Sequence, residues 1–90
     1  MELNRQAIGL TGQPVLFRGD GRRRSIYEVH LSDTTSRAWR DEFNRAAPTA
    51  PDVAIHARRN AVRFEALPDT LQSRLAHAGA LIERANEATE

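Results

Sequence analysis

The chain reads as an α+β protein, a two-layer sandwich in which an antiparallel or mixed sheet of four to five strands is covered on one face by two helices. Two patterns predict it. Residues 25–31 and 53–64 alternate apolar and polar side chains at the period of half-buried strands, whereas residues 35–46 and 71–85 repeat apolar side chains at spacings of four and three. Strands joined by short turns must run antiparallel, and helices with one apolar stripe need a sheet to bury it against. The expected order is β-β-β-α-β-β-α.

"ELNRQAIGL" is the first strand candidate, with Gly9 and Gly12 permitting a turn into a second strand, "PVLFR". "RGDGR" follows, its glycines open to positive φ and Asp20 tolerant of left-handed geometry, so it suits a hairpin connection. In "RSIYEVHLS", Tyr27, Val29 and Leu31 share one face, and Ile26, Glu28 and His30 share the other. A helix is expected from about residue 35 to 46, with N-cap oxygens offered between Ser32 and Ser36, an apolar stripe of Trp39, Phe43 and Ala46, and Pro48 and Pro51 to stop it.

Val53, Ile55 and Ala57 then pair with Val62 and Phe64 across "RRN", where Asn60 is expected in left-handed geometry at a tight turn. The final helix starts at Pro68 or Asp69 and carries Leu71, Leu75, Ala78, Ile82 and Ala85 on one stripe. Gly79 inside it costs about 1 kcal/mol relative to alanine unless a neighbour packs closely there.

Composition removes whole classes of chemistry. The 90 residues fit one compact domain, 1–90, and the absence of cysteine excludes disulfides, thiolate metal sites and thiol nucleophiles. All 13 basic residues are arginine, so lysine Schiff bases and a P-loop lysine are excluded too. No secretory signal pattern or membrane-length apolar run is present, and a cytoplasmic protein is expected, with no membrane partner. A net charge of +1 lies far from the strongly basic balance of a dedicated nucleic-acid binder.

Two turns nevertheless concentrate arginine. Arg22, Arg23 and Arg24 sit at one, Arg58 and Arg59 at another, and if both lie at the same end of the sheet their guanidinium groups would make a phosphate or nucleic-acid contact surface. The aromatic residues all fall in the apolar sets, which leaves few to stack bases. His30, His56 and His77 lack metal-ligand spacing, the serines lack a nucleophile elbow, and "GDG" lacks the third glycine and the helix of a phosphate loop. The expectation is no metal, no cofactor, no catalytic residue and no enzymatic activity.

What is left is a small module that binds another protein or a second copy of itself, as a homodimer through a strand edge or through residues around Trp39, the candidate aromatic anchor. A nucleic-acid or phosphate-ligand binder using the arginine turns is the alternative.

Overall fold

The computed structural model describes residues 8–48 and 54–89. In chain order the elements are β1 (Leu10–Arg18), β2 (Ser25–Leu31), α1 (Arg37–Ala46), β3 (Ile55–Ala57), β4 (Ala61–Ala66) and α2 (Leu71–Ala88), with a 3₁₀ turn, Pro68–Thr70, leading into α2. The four strands form one antiparallel sheet in the order β1-β2-β4-β3. This is the α+β class that the two periodicities predict. The first expected strand falls mostly on residues 1–7, outside the described residues, and Ile8 and Gly9 are not in a strand.

The register assigns the faces. Val29 lies opposite Val62, Tyr27 opposite Phe64, and Phe64 opposite Ile55, so the apolar set of each strand shares one side of the sheet. All five of these side chains are buried. Trp39 and Phe43 of α1 and Ala78, Leu81, Ile82 and Ala85 of α2 complete the core, the Trp39 and Phe43 rings stacking at 5.5 Å. Burial at roughly 1.5–3 kcal/mol per large apolar side chain makes this layer the main source of stability.

Helix α1 begins where the side-chain oxygens are. Ser36 is its N-cap, and the Trp39 N–H donates to Ser36 Oγ at 3.1 Å, meeting one of the orphan donors of the first turn. At its other end the Ala47 N–H reaches back to the Phe43 carbonyl.

Two turns differ from expectation. Gly12, at φ 69°, does not turn the chain back but sits inside β1, where Thr11 pairs with His30 and Val15 with Glu28, so four steps on β1 answer two on β2. The Thr11 hydroxyl, donating to the His30 carbonyl, and the Ser32 N–H, donating to the Gly9 carbonyl, hold this bulged start in the sheet. Asn60 has no positive φ. Its turn is shaped from outside instead: Leu31 N–H donates to the Asn60 carbonyl, and Thr35 N–H donates to the Arg59 carbonyl at 2.7 Å.

Candidate functional site

Helix α1 packs on β3 and α2 on β4, and the distal half of β1 lies beyond them, its apolar side chains about half exposed. Leu16 lies opposite Tyr27 on the helix side of the sheet, and Val15 lies opposite Glu28 on the outer side. A second bulge follows, because Leu16 and Arg18 are two steps apart while their partners Tyr27 and Ile26 are one. That extra residue, Phe17, turns its ring to the outer face, where the Arg63 guanidinium lies 3.9 Å from its centroid. Val15, Leu16 and Phe17 are 53%, 46% and 44% exposed, and among the described residues only Leu67 is a comparably exposed large apolar residue. Three consecutive apolar side chains therefore face water on an edge strand.

The same strand is a poor template for adding another strand. Pro14 lacks an N–H, and the two register irregularities break the row of backbone groups along the edge. A partner meeting this edge reads side chains, not a ladder. Beside the apolar group runs a paired network on the outer face: Arg63 Nε donates to Glu28 Oε2 at 2.8 Å, His30 Nε2 lies 3.9 Å from Glu28 Oε1, and Arg24 Nε lies 3.8 Å from Glu65 Oε2. These pairs leave the outer face close to neutral and fix the side chain on which Phe17 rests.

No protein-family model matches this chain, and no curated protein and no solved structure matches it. The site is thus read from its own residues.

The two arginine turns stand at opposite ends of the sheet. Ser25 pairs with Ala66 and His30 with Ala61, so the β1–β2 loop bearing Arg22, Arg23 and Arg24 sits at one end of β2, and the β3–β4 turn bearing Arg58 and Arg59 sits at the other. At roughly 3.4 Å per residue along β2, about 20 Å separates them. They form no single patch.

The β1–β2 loop is organised by its own short side chains. Asp20 Oδ1 accepts the Arg22 N–H at 2.9 Å and the Arg23 N–H at 3.2 Å, which draws the Asp20 carboxyl below its ordinary proton affinity. Gly19, at φ 112°, packs against Ser25, whose hydroxyl donates to the Arg23 carbonyl at 3.0 Å. Arg23 and Arg24 flank a shallow depression with Arg74, whose Nε is buried without a hydrogen-bond partner.

At the other end, Thr35 acts as a hub. Its hydroxyl lies 3.0 and 2.8 Å from the Arg58 and Arg59 carbonyls, and Arg40 Nη1 donates to the Thr35 carbonyl at 2.7 Å and to its hydroxyl at 2.9 Å. The start of α1 and the β3–β4 turn are thereby locked together, with Arg37 and Arg40 brought beside Arg58 and Arg59. His56 lies on the outer face beside this turn. Burial first, and then Arg58 and Arg63, lower its proton affinity below the ordinary value of 6.5.

Trp39 corrects the expectation that it anchors an interface. It is fully buried, with its indole Nε1–H donating to Asn86 Oδ1 at 2.8 Å, so it presents no surface to a partner. His30 and His56 do not meet either, because β4 lies between their strands. Among the described residues no group of three or more acidic or histidine side chains is placed to hold a metal ion, and no helix is long and apolar enough to cross a membrane.

Two features went unrecognised as site elements in the sequence. Val15, Leu16 and Phe17 form an unbroken apolar run, and on a strand with one buried face such a run must leave at least one side chain in water. Arg37 and Arg40 crowd a first helical turn that contains no acid.

Proposed function

We propose that this protein is a non-enzymatic interaction module that binds a protein partner through the distal half of β1, with Phe17 as the central anchor. The observation that carries the reading is the exposure of Val15, Leu16 and Phe17 together on the edge strand β1. Apolar side chains grouped on a rigid strand beside arginine match the composition of interface centres, where aromatic residues and arginine dominate binding energy. Arg63 stacked on Phe17 restrains the ring before contact, which reduces the side-chain entropy lost on binding. Broken edge geometry argues for recognition by side-chain packing and against strand addition.

The test compares the intact protein with a Val15→Ser, Leu16→Ser, Phe17→Ser variant. Each is immobilised and exposed to nuclease-treated host lysate above about 0.3 M salt, where contacts between exposed charges are screened. In parallel, sedimentation over a wide concentration range reads self-association. The reading expects either a defined partner or a dimer that the serine variant loses. Partners and oligomeric state identical for the two proteins would overturn it.

A further inference from the structure

The depression between the start of α1 and the β3–β4 turn has the composition of an anion site. Arg37 and Arg40 approach it from the helix, and Arg58 and Arg59 approach it from the turn. Asp41 is the one acid on its rim, so four positive charges face a single negative one. Elsewhere Arg24, Arg45 and Arg63 each have a glutamate partner, whereas Arg37, Arg58 and Arg59 have no acidic partner among the described residues. The arrangement is self-repelling in the free protein. It is also set at the end of α1 where the helix field is itself positive, and where no acidic residue of the first turn offsets it.

The backbone that carries Arg58 and Arg59 is held against the start of α1, and the Arg40 guanidinium is held with it. The Thr35 hydroxyl and N–H fix the turn by its Arg58 and Arg59 carbonyls, and the same threonine holds Arg40. Asn44 Oδ1 accepts the Ala57 N–H at 2.8 Å, which ties α1 to β3 and leaves the Asn44 NH₂ to donate at the wall of the depression. Arginine presents up to five N–H donors in a planar fork suited to phosphoryl oxygens. His56 lies at the same wall, and its proton affinity is lowered first by burial and then by Arg58 and Arg63.

We infer that this depression, of about 390 Å³, binds a small oligophosphate anion through Arg37, Arg58 and Arg59, with Arg40 and Asn44 completing the wall. No Phe, Tyr or Trp side chain lines it and the His56 imidazole is its one ring, so the site grips the phosphate chain and offers no run of large aromatic rings on which successive bases would stack. This favours a free oligophosphate, or the phosphate tail of a small molecule, over single-stranded nucleic acid. The site lies at the turn end of β3–β4 and is independent of the β1 surface proposed to bind protein.

Calorimetric titration with inorganic tripolyphosphate at fixed low ionic strength tests this, with adenosine triphosphate and a short single-stranded oligonucleotide as parallel ligands. The comparison is between an Arg58→Ala, Arg59→Ala variant, an Arg37→Ala variant, and an Arg22→Ala, Arg23→Ala control at the opposite end of the sheet. Tripolyphosphate and the nucleotide are expected to bind alike, with affinity falling about ten- to a hundredfold when the two turn arginines are removed. The Arg37→Ala variant, whose side chain has no hydrogen bond or ion pair among the described residues, loses affinity too, while the control keeps it. No saturable binding, an equal loss in the control, or a marked preference for the oligonucleotide would overturn the inference.

Discussion

The indole of Trp39 donates to Asn86 Oδ1 at 2.8 Å, joining the first turn of α1 to the last turn of α2. Asn86 also serves the backbone of Ile8, accepting its N–H at 3.2 Å and donating from Nδ2 to its carbonyl at 2.9 Å. One amide thus satisfies the only polar atom of a buried tryptophan side chain and pins the strand-side segment before β1. Removing it leaves a buried donor without a partner.

The Asn86→Ala variant is expected to lose about 1–3 kcal/mol of stability through that stranded donor. Urea unfolding followed by tryptophan fluorescence measures it, as a lower midpoint at unchanged slope. Near-native stability would mean that water replaces the amide without cost.

Gly79 lies inside α2, and a methyl group added there would meet nothing within 4 Å. No close packing therefore requires the glycine. Gly79→Ala is expected to stabilise the protein by about 0.5–1 kcal/mol, by reducing the freedom of the unfolded chain and improving helix propensity. Thermal unfolding reads the sign directly.

Phe17 and Phe43 contrast an exposed aromatic with a core one. Phe43→Ala is expected to cost about 3–5 kcal/mol through lost burial and the cavity left under α1. Phe17→Ala forfeits its stacking on Arg63 and costs about 0.5–1 kcal/mol. Equal destabilisation in chemical unfolding would assign Phe17 to the core and remove the β1 surface.

His56 gives stability a pH dependence of known sign. Its folded-state proton affinity is lowered below 6.5, by burial first and by Arg58 and Arg63 after it. The unfolded chain then binds the proton more readily, so this group's contribution is fully present above the unfolded value and declines as pH falls through 6.5, levelling below the folded value. His56→Gln is expected to flatten the stability profile between about pH 7.5 and pH 5, measured by urea unfolding at each pH. An unchanged profile would place the dependence elsewhere.

Local patterns carried much of this fold into view. The alternation of Tyr27, Val29 and Leu31 marked the buried face of β2, the Leu71-to-Ala85 stripe marked α2, and Ser36 marked the start of α1 within the span of candidate caps. What stayed hidden depends on contacts distant in sequence. The turn at Asn60 takes its shape from Leu31 and Thr35, and the burial of Trp39 depends on Asn86, 47 residues away. Whether Arg22 and Arg58 share an end of the sheet follows from the antiparallel pairing of β2 with β4, which no periodicity specifies. The exposure of β1 is likewise set by where the two helices stop.

The most direct measurement places a photo-reactive phenylalanine analogue at position 17, and separately at the exposed Gln72 of α2, and illuminates each protein in its host lysate. An adduct to a defined protein, or to a second copy of the chain, at position 17 and not at position 72 is the predicted result. The absence of any adduct at 17, or the same adducts from both positions, would contradict β1 as the binding surface.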